Sequence, residues 1–367
     1  LGLLILGVYT PLAAYLFRAA QHTGDGAAYT LQATGGPALD RAVHAGWLVP
    51  LSGWTRALHG ALEPSAATNL ASALAMGGAL LLLAVLGRDL ARDAGGRGAD
   101  GLIAPAVALC SVGIWDAALF CEVYGPLSLL TLAGVLALRR GRPVAAGCLL
   151  FLAAATHPGA LALFPAALVL GARARGDAGL ALGVALGLVA AWVGVLGAEP
   201  WLGPRGLLAP GADVHPWGAL QRAWRLLSRD LGISSLPLLV GALLAWTRRT
   251  PPEARWLLGC GLALLGTALG LDRFSDNPAT LPLLLLCCPL AALAPSALRH
   301  LPPRAARAGA ALLAIIVVLG IAEATSQHDA VARAAVRAQQ DHARACAQPD
   351  PAAWRDRMLR ELACLNR

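Results

Sequence analysis

The chain has 367 residues, of which 57% are hydrophobic and only 14% charged, with a formal net charge of +8. A soluble domain carries about 25% charged residues, so lipid is the solvent for most of this chain and a water-soluble enzyme is excluded. All 29 basic residues are Arg, scattered in short groups between apolar runs. No basic stripe interleaved with aromatics is present, so no nucleic-acid partner is expected.

Apolar runs such as Ala66 to Leu86, Leu180 to Leu196 and Ala308 to Ala322 approach the length of a bilayer crossing, roughly 17 to 25 residues. Backbone groups at that depth must be satisfied within the segment. The expected fold is therefore all-α, a polytopic transmembrane helical bundle of about eleven helices. With Arg-rich turns as punctuation, crossings are expected near 1–17, 66–87, 101–115, 124–138, 143–156, 159–172, 179–197, 233–247, 256–271, 279–294 and 309–325. The first run, ending near Phe17, reads as a transmembrane helix rather than a cleaved signal peptide, because no basic leader segment precedes it. The stretches 101–138 and 143–172 each read as a hairpin of short helices. One long tilted helix over 143–172 is the competing count, and it would invert everything downstream.

The positive-inside rule decides the orientation. Arg88, Arg92 and Arg97, then Arg139, Arg140 and Arg142, then Arg173 and Arg175, then Arg248, Arg249 and Arg255, then Arg299, Arg304 and Arg307 fall in alternate loops. Those loops belong in the cytoplasm. The protein is expected in a bacterial inner membrane with its N-terminus cytoplasmic, and with the polar tail 326–367 outside. The outward connections are then 18–65, 116–123, 157–158, 198–232 and 272–278.

Two of these loops carry amphipathic patterns suited to the membrane interface. One is the series Ala38, Val43, Trp47, Leu51, Trp54 and Leu58. The other runs from Pro216 to Asp230, with Trp217, Leu220, Trp224 and Leu227 on one stripe and Arg222, Arg225 and Arg229 off it. Six cysteines lie in or beside apolar helices at spacings that match no zinc pattern. Cys346 and Cys364, in the outward tail, are expected to form a disulfide, which an oxidising compartment permits.

Carboxylates in or beside membrane helices are costly and mark functional sites. Asp25, Asp116 and Glu122 all fall on the outward side, and His157 joins them from the third outward turn. The first outward loop reads Thr23-Gly24-Asp25-Gly26-Ala27-Ala28-Tyr29, followed by His44-Ala45-Gly46-Trp47. The next reads Trp115-Asp116-Ala117-Ala118-Leu119-Phe120-Cys121-Glu122-Val123-Tyr124, and further on stands Thr156-His157-Pro158-Gly159.

In these residues the chain resembles the GT-C superfamily of membrane glycosyltransferases, most of all the branch related to protein O-mannosyltransferases. There an acidic first loop, a Trp-to-Glu-x-Tyr turn and a later His recur in that order. The branch also tends to carry a His-Pro-Pro-Gly stretch, of which only His44 and Gly46 remain here. The resemblance covers residues 1–200, a GT-C-like module with its first-loop catalytic region. Residues 201–325 follow as variable C-terminal helices and 326–367 as the tail.

The resemblance implies transfer of a sugar from a polyprenyl-phosphate donor, held beside membrane lipid, to an extracytoplasmic acceptor. It makes Asp25 the candidate base, in a Gly-flanked loop that lets the backbone approach a substrate closely. Asp116 and Glu122 are candidates for binding acceptor hydroxyls or a divalent cation, which prefers oxygen ligands. His44, Tyr124 and His157 are candidate substrate-binding residues. Arg273 is the candidate cation for the lipid phosphate, with Arg222, Arg225 and Arg229 as rivals. A non-catalytic membrane assembly protein, or a transporter or flippase, is the alternative.

Overall fold

A computed structural model describes residues 25–35, 44–119, 121–172, 174–197, 288–299 and 301–344. The expected crossings 1–17, 233–247 and 256–271, most of 279–294, the stripe 216–230, Arg273 and the Cys346–Cys364 pairing lie outside these residues.

Two short helices, α1 (Asp25–Ala33) and α2 (Ala45–Ala57), precede α3 (Pro64–Asp93). Pro64 sits at the first helical position of α3, where a missing N–H leaves nothing unsatisfied. This helix is the centre of the bundle, with Met76, Leu80, Leu83, Leu86 and Leu90 fully buried. The expected interfacial stripe of 35–59 is in part α2. Its Trp47, Leu51 and Thr55 are buried against α1, α3 and the end of α7 rather than lying on lipid.

A 3₁₀ turn (Gly98–Leu102) leads into α4 (Ile103–Ala108) and α5 (Val112–Leu119). The crossing expected as one helix over 101–115 is bent by 81° between these two. The Trp115 indole N–H donates to the Leu109 carbonyl at 2.8 Å, replacing a helical partner lost at the bend. As a result Asp116 lies within α5 and not in a loop. The turn is seated by two glycines in contact: a Cβ on Gly87 would lie 2.7 Å from the Gly101 carbonyl oxygen, and one on Gly101 would overlap the Arg88 backbone.

Helices α6 (Tyr124–Arg139) and α7 (Pro143–Thr156) follow, then a 3₁₀ turn (Pro158–Leu163) continuing into α8 (Phe164–Gly171). Gly141, at φ +66°, makes the left-handed turn between α6 and α7. Arg139 donates to the Leu170 carbonyl near the end of α8 and stands only a few residues before the start of α7. Both ends of 143–172 are thus at one side of the bundle, so the segment is a hairpin and the single long helix is excluded.

Helix α9 (Arg175–Leu196) follows. After a buried 3₁₀ segment (Cys288–Leu293) come α10 (Ala294–Leu298) and α11 (Pro303–Arg344). Among the described residues three helices are long and apolar enough to cross a membrane, or four with the bent pair. On α9 and α11 Val195, Leu312 and Val318 are exposed, as suits a face turned to lipid. Helix α11 continues past the expected 309–325 crossing to Arg344.

Ion pairs gather the Arg-bearing turns at one end. Arg139 pairs with Asp93 at the end of α3, and Arg299 pairs with Asp100 on the first 3₁₀ turn. The contact of Arg139 with α8 adds the turn that leads to Arg175. Arg139 is buried while the Asp93 side chain is 43% exposed. Losing the partner of a buried charge costs about 3–5 kcal/mol, a figure that falls when the partner is half-solvated. Asp93→Asn is therefore expected to cost about 1–3 kcal/mol, read as a lower Tm of the detergent-solubilised protein. An unchanged Tm would contradict this role.

Candidate functional site

The opposite end of the bundle is organised by the end of α7. Pro158 cannot continue a helix, so α7 stops at Thr156 and His157 adopts an extended backbone (φ −154°, ψ 124°). The last carbonyls of a helix have no partner within it. That of Thr156 accepts a hydrogen bond from His44 Nδ1 at 2.8 Å. His44 stands immediately before α2 and is buried. Gly46 allows α2 to come this close, since a Cβ there would lie 2.7 Å from Ala155 C and Thr156 N. His157 Nδ1 in turn accepts from the Gly159 N–H at 3.0 Å, capping the 3₁₀ turn.

These bonds align four rings in a row. Tyr29 of α1 meets His44 edge-on, His44 stacks on His157, and His157 meets Tyr124, the first residue of α6, each pair with centroids 5.5 Å apart. The turn before α6 packs Cys121 and Val123 against Tyr29, Trp47 and Leu51. This turn lies outside the spanning helices. Burial, and then the neighbouring Glu122 charge, push the Cys121 thiol up to about 12, only partly offset by Thr30, Thr68 and Trp47. It stays protonated at neutral pH, so Cys121 itself supplies no thiolate nucleophile.

Depth matters here. With 14 residues, α7 rises about 21 Å against a hydrocarbon core of about 30 Å. Alone, α7 is therefore too short to cross that core. Irregular backbone beyond the end of such a helix is tolerated within a bilayer where protein covers it or where it lines a cavity.

Of the residues singled out in the sequence, His44, Tyr124 and His157 come together directly. Glu122 is half-buried on the turn packed against Tyr29, and Asp25 opens α1 one turn before Tyr29. Asp116 is half-buried on α5. Among the described residues no group of three or more His, Cys, Asp or Glu side chains converges as a metal site. A cavity of about 500 Å³ opens beside the C-terminal ends of α1 and α2, lined by Thr34, Arg56, His59 and Glu63 among others, and none of the expected site residues lines it.

Sequence reasoning assigned no role to Tyr29 and overlooked a polar row on α3. Ser65, Thr68, Asn69 and Ser72 are all buried, and Thr68 shares a hydrogen bond of 2.9 Å with Thr30 of α1. The signal was present: these four stand at i, i+3, i+4 and i+7 at the start of an otherwise apolar helix.

No protein-family model and no curated protein matches this sequence. Solved structures do match. The chain superposes on ArnT from Cupriavidus metallidurans in the apo state with a TM-score of 0.64 and 16% identity. It superposes on the same protein bound to undecaprenyl phosphate with a TM-score of 0.60 and 14% identity. In both cases 98% of this chain and 84% of the other are covered.

The close approach of α2 and α7 is directly testable. Gly46→Ala forces backbone against backbone, a strain of about 1–3 kcal/mol. It is expected to lower Tm and to loosen the packing of Trp47, seen as a change in tryptophan fluorescence. A variant indistinguishable from wild type would refute the contact.

Proposed function

From the GT-C fold of this chain, we propose that it is a membrane glycosyltransferase. It moves a sugar from a polyprenyl-phosphate-linked donor to an acceptor on the extracytoplasmic side. The supporting observation is the gathering of Tyr29, His44, Glu122, Tyr124 and His157 at the end of the bundle opposite the Arg turns, in a chain whose fold matches ArnT over 98% of its length. Cationic turns stay in the cytoplasm, so the ring row faces the compartment where a lipid-borne donor meets a watery acceptor.

The reaction is an inverting displacement. The acceptor oxygen attacks the anomeric carbon as the bond to the phosphate oxygen breaks, and polyprenyl phosphate leaves with that electron pair. The acceptor proton passes to the Asp25 carboxylate. The phosphate needs charge compensation and no proton. Asp116 and Glu122 serve the acceptor hydroxyls in this reading, and Tyr124, His44 and His157 the donor head group. The likeness to the O-mannosyltransferase branch rests on the Trp115-to-Tyr124 segment and His157, and bears on the choice of sugar. A transporter would place its charges at mid-helix depth in paired broken helices. Here Glu122 precedes a helix and Asp25 begins one, and the bent pair that carries Asp116 has no second copy among the described residues.

A positioned general base is worth about 10²–10⁴ in rate. Asp25→Asn, folded to the wild-type Tm in membranes supplied with polyprenyl-phosphate-linked sugar, is expected to lose at least about 100-fold of glycan modification measured by mass spectrometry. Unchanged modification by the folded variant would overturn the catalytic reading.

A further inference from the structure

The two imidazoles of the ring row are held by partners of opposite kind. A carbonyl oxygen only accepts, so His44 Nδ1, 2.8 Å from the Thr156 oxygen, carries a hydrogen. A backbone N–H only donates, so His157 Nδ1, 3.0 Å from the Gly159 nitrogen, is bare, and the hydrogen of the neutral ring sits on Nε2. A second proton on His44 goes to Nε2 and leaves its anchoring bond intact. On His157 it would go to Nδ1, confront the Gly159 N–H, and break the cap of the turn Pro158–Leu163. Two stacked rings 5.5 Å apart also resist carrying two positive charges.

We propose that His44 and His157 are fixed opposite tautomers, in which His44 alone takes up a proton. An anionic head group at this row would then meet one imidazolium and one neutral ring. The head-group assignment rests on the polyprenyl-phosphate donor proposed above, whereas the tautomers rest on the hydrogen bonds alone. The rings in contact with His44 are Tyr29 from α1 and His157 after α7, with Tyr124 of α6 beyond His157. The carboxylates on adjoining segments are Glu122, on the turn before α6, and Asp25 at the start of α1.

Asparagine separates structure from proton chemistry at both positions. The amide introduced by His44→Asn still donates to Thr156, and that introduced by His157→Asn still accepts from Gly159, but neither ionises. The test is ¹⁵N NMR of the full chain with labelled histidine in nanodiscs, with signals assigned by their loss in these two variants. His44 is expected as the Nδ1–H tautomer, becoming imidazolium on acidification, while His157 remains Nε2–H. Identical tautomers, or proton uptake by His157 first, would overturn the proposal.

Binding of undecaprenyl phosphate is then measured against pH in wild type and in His44→Asn, a comparison that cancels the titration of the lipid itself. The ratio of wild-type to variant affinity is expected to rise as pH falls, by up to about tenfold per unit. A flat ratio overturns the head-group role. Absence of binding to the wild type at every pH overturns the donor class as well, while the NMR result still decides the tautomers.

Discussion

The hydrogen bond from His44 to the Thr156 carbonyl is the constraint on which this end of the molecule depends. A helix that stops inside a bilayer-spanning bundle leaves carbonyls without partners, and there is little water at that depth to supply them. Here a side chain from a different segment satisfies one of them. That requirement pulls α2 against α7, which only a residue without a side chain at Gly46 permits. Once His44 is fixed, Tyr29 and His157 have one arrangement around it, and Tyr124 closes the row. A solution to a backbone problem is thereby also the geometry of the site.

The bundle has two chemically distinct ends. At one, Arg139 and Arg299 are neutralised by Asp93 and Asp100, so the acids there are structural. At the other, ring nitrogens, phenols and Glu122 collect, and Arg56 in the last turn of α2 lines the cavity shared with Glu63. Short helices make this division useful. At 14 residues, α7 is too short to cross the bilayer alone, so the ring row closes the end of a short helix rather than of a full crossing.

Much of the fold was legible because punctuation and periodicity agreed. Pro143 after Arg142 and Pro158 after His157 marked both ends of α7, and the alternation of Arg turns foresaw that 143–172 doubles back. The bend between α4 and α5 was not legible, since Leu109 to Ser111 carries neither Pro nor charge and the apolar pattern runs straight through it. The stripe on α2 was legible as amphipathic, but its partner was misjudged: periodicity identifies a buried face without saying whether lipid or protein buries it. Individual site residues such as His44, Tyr124 and His157 stood out as polar groups in an apolar chain. Their meeting did not, because the row draws on four separate segments and depends on a bond between residues 112 apart in sequence.

The central claim is that a polyprenyl phosphate docks at the ring end of the bundle. An experimental structure of the full chain in nanodiscs loaded with undecaprenyl phosphate tests it most directly. The account predicts phosphate density beside His44, His157 and Tyr124, with the isoprenyl chain running out between helices into lipid. Phosphate density at the end formed by Arg139, Arg299 and their partners, with the ring row unoccupied, would contradict it.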